Sequence, residues 1–226
     1  MRNQITLKFA FSILVVLLLG LSSCNPVYFP NSINSPMLKT KGEGQVNALV
    51  GFGGFELQSA YALTDNFGLM LNGSYLPSTS KDSIKEVRTL AEAGLGYSYR
   101  FSEFGTFEVF GGGGFGSVPA DFRNSDYDGT QKAELSRFFI QPAMGISSKL
   151  IDFSFATRVT LVNAGGETNL FFEPGVIAKI GYKKIKFIGT LGASIPAKDY
   201  NQRNWDHNPF IISLGLHYNF GRKFNE

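Results

Sequence analysis

The sequence predicts an all-β chain that closes into an antiparallel, up-and-down transmembrane β-barrel. Three observations predict it: repeated alternation of apolar and polar residues without a helical period, charges confined to one face of that alternation, and connections that are alternately short and long. Composition agrees. Of 226 residues, 43% are hydrophobic, 14% are aromatic and 22 are Phe. Only 17% are charged, against roughly 25% in an ordinary soluble domain. The 26 glycines have no collagen-like period of three, and the chain is too apolar for disorder. A net charge of +3 is too small for a nucleic-acid footprint, so no nucleic-acid partner is expected.

The chain opens on a targeting segment. Arg2 and Lys8 supply a positive start, and Phe9 to Leu21 is an apolar run short of the ~20 residues a spanning helix needs. It ends in Leu21-Ser22-Ser23-Cys24, which resembles a bacterial lipobox. That likeness implies a cleaved lipoprotein signal peptide over 1–23 and fatty acyl chains, palmitate among them, on Cys24. The alternative is an ordinary secretory signal with an incidental cysteine. A single Cys also excludes an intrachain disulfide and a Cys-rich metal site.

Residues 24–43 follow, with Pro26, Pro30 and Pro36 among several Asn and Ser. Prolines so spaced prevent a helix and interrupt sheet pairing. The stretch reads as an extended, lipid-anchored tether between lipid and domain. Some surface-exported lipoproteins carry an acidic cluster after the cysteine; none follows Cys24, and by that resemblance the anchor is expected on the periplasmic side.

The barrel is expected over 44–221, before a polar tail at 222–226. Ten strands are read: 45–52, 55–63, 67–75, 91–101, 107–116, 137–147, 151–161, 170–182, 185–195 and 210–220. Most have the 9–11 residues of a tilted spanning strand or slightly more. The count becomes eight if the first hairpin, linked through Gly53-Gly54, is not one. The last strand shows the pattern best. Phe210, Ile212, Leu214, Leu216, Tyr218 and Phe220 share one face, opposite Ser213, Gly215, His217 and Asn219.

With each strand phased on its apolar set, the other face carries Glu56, Glu92, Arg100, Glu108, Arg137, Asp152, Arg158, Glu173, Lys179 and Lys186. The signs balance, as charges in a low-dielectric interior must. Met70, Phe110, Phe139, Phe171, Ile177 and Ile188 fall on the same face, so the lumen is expected to be plugged by side chains and a charge network. Tyr61, Phe67, Phe101, Phe107, Phe153, Tyr182, Phe187 and Phe220 lie on the apolar face beside short turns or the chain end, as an interfacial girdle would. Connections near 64–66, 102–106, 148–150 and 183–184 are short, whereas 76–90, 117–136, 162–169 and 196–209 are long. That asymmetry fits periplasmic turns and extracellular loops. A soluble lipid-binding barrel would need the opposite face assignment.

Stretches such as Glu56-Leu57-Gln58-Ser59-Ala60-Tyr61, Met70-Leu71-Asn72-Gly73-Ser74-Tyr75 and Phe107-Glu108-Val109-Phe110-Gly111-Gly112 resemble small outer-membrane β-barrels of the OmpA/OmpX-like superfamily. They are similar in particular to uncharacterised outer-membrane barrel lipoproteins of the Bacteroidota. The final strand also resembles that family's assembly signal, with Ile212, Leu214, Leu216 and Tyr218 alternating before Phe220, but it continues through Gly221 to Glu226. The resemblance implies location in the outer membrane of a Gram-negative bacterium. It also implies outer-membrane lipid, lipoprotein-processing machinery and barrel-assembly machinery as partners. It brings no activity, because one fold hosts many functions.

Catalytic signals are weak, and no enzyme activity, cofactor or metal is expected. Trp205-Asp206-His207 offers a base, but no Gly-x-Ser-x-Gly and no second organised acid accompany it; a solvated loop is the simpler reading. His217 reads as a lumen hydrogen-bonding residue. Asn124 to Gly129 resembles the start of a calcium loop, but Leu135 occupies the position of the closing Glu and Glu134 sits one early, so Asx turns account for it. Gly111 to Gly114 lacks the Lys and helix of a phosphate loop. The expected function is therefore a structural or surface-interaction role through the extracellular loops. A small-solute channel and a rim hydrolase using Asp206 and His207 are the alternatives.

Overall fold

A computed structural model describes residues 26–79, 85–119, 132–198 and 207–222. The targeting segment with Cys24, the Asn124–Gly129 stretch, Trp205 and Asp206 lie outside the described residues. The strands are β1 (Gly44–Gly51), β2 (Gly54–Ala62), β3 (Phe67–Thr79), β4 (Lys85–Arg100), β5 (Gly105–Pro119), β6 (Lys132–Ser147), β7 (Ile151–Ala164), β8 (Glu167–Tyr182), β9 (Ile185–Ala193), β10 (Ile195–Pro196) and β11 (Phe210–Phe220).

Consecutive strands from β1 to β9 pair antiparallel, β9 also pairs with β11, and β11 returns to β1 from Gly44↔Phe220 to Gly51↔Ser213. The two-residue β10 continues the line of β9 past Ser194 and rests on β8 at Ile195↔Phe172. The wall is thus a closed barrel of ten strands. The first hairpin is real: Gly51 pairs with Gly54, whose φ of 91° makes the tight turn that a side chain would strain.

Alternation locates the strands but underestimates their length. β3 to β8 run several residues beyond the expected ends on the long-loop side. The segment 162–169, expected as a loop, is mostly strand around a Gly165-Gly166 turn with φ of 61° and 82°. The reason is physical. Backbone pairing continues past the apolar band, where neither face requires an apolar residue, so the period fades while the ladder does not.

Apolar side chains point outward and polar ones inward. Leu214 is 72% exposed and Phe187 74%, whereas Arg158 is 1% exposed and Glu173 is fully buried. All eight girdle aromatics are on the exposed side. Met70, Phe110, Phe139, Phe171, Ile177 and Ile188 are buried inside.

The main departure concerns residues 26–41. This stretch is extended, as expected, but it does not lie outside the barrel. It threads the barrel, and every residue from Pro30 to Leu38 is buried. Val27 and Tyr28 pack with Leu90, Val118, Leu135 and Phe171 at the long-loop end. At the other end the Lys41 N–H donates to Asp65 and the Gly42 N–H to Ala62, beside the short turns. Eight strands leave an interior that side chains just fill, and the diameter grows with strand number. Ten strands leave a bore that one extended chain occupies.

Candidate functional site

The lumen is where the chain concentrates its buried polar chemistry, and its occupant is the segment 26–41. At the long-loop mouth Tyr28 forms a parallel bridge with His207, and the Asn208 N–H donates to the Tyr28 carbonyl at 2.8 Å. The Tyr28 ring packs, tilted, 5.1 Å from Phe171, which is itself 5.1 Å from the His207 ring. Its hydroxyl donates to Glu173 at 3.0 Å and accepts from Arg137 at 2.8 Å.

Asn31 is the hub one layer down. Its amide donates to Glu92 Oε2 at 2.6 Å, and its side-chain oxygen accepts from Arg137 at 2.6 Å and Arg158 at 3.1 Å. Arg158 also donates to the Asn31 backbone carbonyl at 2.9 Å. Arg158 meets Glu173, its cross-strand neighbour, at 2.6 Å. Arg137 meets Glu92 although β5 lies between their strands. Gly114 is paired with both residues, and a Cβ there would sit 2.6 Å from Glu92 Cγ. The bare glycine lets the pair close over it.

Two wall carboxylates, Glu56 and Glu108, which make no ion pair among the described residues, hold the segment's own donors. The Ser32 N–H donates to both oxygens of Glu56, at 3.0 and 2.9 Å. The Ser35 hydroxyl and the Met37 N–H each donate to Glu108 at 2.9 Å. Lys179 donates to the Ser35 carbonyl at 3.1 Å and to Gln45 at 2.9 Å. Asn34 donates to Asn72 at 2.8 Å and accepts from Gln45 at 3.1 Å. An extended chain inside the bore has no ladder to satisfy it, so the wall supplies the partners. Pro30 and Pro36 lessen the demand, having no N–H.

Ile33 fills an apolar gap among Ala143, Ala156, Ile177, Ile188 and Ile211. Gly175 makes the room, since a Cβ there would stand 2.9 Å from Ile33 Cδ1. Gly175→Val is therefore expected to destabilise the barrel by about 1–3 kcal/mol through overpacking. A urea titration should show part of that loss recovered when Ile33→Ala is added.

At the short-turn mouth Arg222 pairs with Glu43 and lies 3.4 Å from Asp152, while Lys186 meets Asp152 at 2.7 Å. Arg222 also donates to the Met37 carbonyl at 3.1 Å. Lys39 donates to the Glu103 and Ser147 carbonyls, each at 2.9 Å.

Against the expected charge set, Glu56, Glu92, Glu108, Arg137, Asp152, Arg158, Glu173, Lys179 and Lys186 are all buried in the lumen. Arg100 is not: it is exposed at the short-turn end of β4, where the strand leaves the bore. Arg222, expected to begin a polar tail, is buried at 8% exposure because it caps the network. Sequence reasoning missed Tyr28, Asn31, Ser32, Glu43 and Arg222. One signal was available for the segment: Asn25 to Leu38 contains no charge, which is unusual for a solvated tether and natural for a buried chain.

Of the catalytic candidates, only His207 among Trp205, Asp206 and His207 is described. Its Nε2 donates to the Ser194 carbonyl at 2.9 Å, which ties the residue to the wall beside the segment's end. His217 faces the lumen, 2.7 Å from Asn47. Gly111 to Gly114 lie within β5. No protein-family model and no curated protein matches the chain.

Proposed function

We propose that this protein is an integral outer-membrane β-barrel, lipid-anchored at Cys24, whose lumen is closed by its own chain. Its work is done at the surface, by binding or scaffolding through the long-loop mouth rather than by transport or catalysis. The observation that carries this reading is the inverted barrel with a filled bore: outward leucines and phenylalanines, inward charges, and residues 26–41 occupying the space that a solute would need. An apolar belt with an aromatic rim is what a bilayer stabilises and water does not.

The test is detergent dependence with heat-modifiable gel migration, joined to a face-specific pair of substitutions. Leu214→Arg near the bilayer midplane should cost about 2–4 kcal/mol in a folding titration. Leu214→Phe should be close to neutral. Stable, monodisperse protein without detergent, or a Leu214→Arg variant as stable as Leu214→Phe, would overturn the reading. Arginine at the neighbouring Ser213 is no mild control: the Ser213 hydroxyl lies 2.7 Å from that of Ser32, so the lumen has no room there.

A further inference from the structure

The direction of the threaded segment decides where the amino-terminal end of the mature chain lies. Val27 and Tyr28 are fixed among the upper ends of β4 to β8, and the segment leaves the bore at Lys39–Gly42 beside the short turns. From Val27 to Lys39 an extended chain reaches about 40 Å at ~3.3 Å per residue, enough to cross the apolar belt once. β1 then climbs back, starting opposite Tyr61 and Phe220. The carboxyl-terminal strand ends on the short-turn side, where Arg222 meets Glu43. The two ends of the described chain are therefore on opposite sides of the barrel.

Cys24 precedes Pro26 by two peptide links, a reach of about 7 Å. Returning to the short-turn side would take at least the ~25 Å height of the apolar band, through a bore that is already full or down the outside of the wall. Two residues cannot span it.

We infer that the amino-terminal end of the mature chain emerges at the long-loop mouth, so that acyl chains on Cys24 enter the leaflet facing outside the cell. This rests on the membrane reading above and reverses the periplasmic expectation drawn from the absence of an acidic cluster. The structural reason is the anchor's route. Sidedness here follows from the path of the chain through the barrel, which a local signal after Cys24 does not describe.

The experiment uses the full-length protein in intact cells with a membrane-impermeant maleimide. Lipid-bearing Cys24 has its sulfur in a thioether and does not react. Three reporters are added singly: Pro26→Cys beside the anchor, Thr168→Cys on the exposed β7–β8 hairpin, and Lys184→Cys in the β8–β9 turn. Pro26→Cys should label in intact cells to the same extent as Thr168→Cys, and Lys184→Cys only after the outer membrane is permeabilised. A fatty-acid probe should mark the wild type and not Cys24→Ala.

If Thr168→Cys labels but Pro26→Cys behaves like Lys184→Cys, the inference falls while the barrel reading stands. If Lys184→Cys labels in intact cells and Thr168→Cys does not, the assumed orientation falls and takes the outer-leaflet placement with it. Equal fatty-acid labelling of wild type and Cys24→Ala overturns the lipid. A short epitope between Asn25 and Pro26, read by antibody on whole cells, tests the same placement without altering Pro26. Surface staining supports it, and staining only after permeabilisation overturns it.

Discussion

Arg158→Ala is expected to destabilise the folded barrel by about 3–5 kcal/mol, the usual cost of breaking one side of a buried ion pair. Arg158 donates to Glu173 at 2.6 Å and to both oxygens of Asn31. Its removal leaves Glu173 with only neutral donors among the described residues, the Tyr28 hydroxyl at 3.0 Å and the Ser194 hydroxyl at 3.1 Å. It also removes a donor from the Asn31 carbonyl, on a residue that is 2% exposed. Adding Glu173→Gln removes the stranded charge, so the double variant should be more stable than Arg158→Ala alone. The measurement is a reversible urea titration of the folded, gel-shifted form. A single-variant loss below about 1 kcal/mol would mean that water reaches the pair and screens it, as at an exposed ion pair.

Replacing residues 27–38 by a flexible Gly/Ser stretch of equal length is expected to have the largest functional effect. The wild-type protein should show no stable unitary conductance in a planar bilayer. The replaced chain should show stepwise openings. Its bore would lose Tyr28, Ile33 and Met37, and would expose Glu56, Glu92, Glu108, Arg137 and Arg158 to water. Heat-modifiable migration shows whether the variant folds. A folded but silent variant would mean that wall side chains alone seal the lumen. Steady, ion-selective openings from the wild type would promote the channel alternative over the surface role.

Alternation of apolar and polar residues is a local property with a period of two, and it already determines which side of each strand a residue occupies. That is why the ten strands, and the opposite faces that carry Leu214 and the charges Arg158 and Glu173, could be read from the sequence, while the charge balance and the aromatic girdle said which face is inside. The Arg158–Glu173 pair follows almost as directly, because the β7–β8 hairpin sets the two residues opposite each other. Asp152 and Lys179 are also opposite, yet Asp152 turns to Lys186 and Arg222, and Lys179 to Ser35 and Gln45. Only the closed bore decides that choice, because its partners come from strands and termini far apart in sequence. The same holds for residues 26–41. Their prolines announced an extended chain, but no local pattern states that a ten-strand circumference leaves a space one chain wide. Packing had to decide it: an unfilled bore would leave the inward charges and several aromatic rings against water or a void, and the nearest uncharged extended segment is the one that fills it.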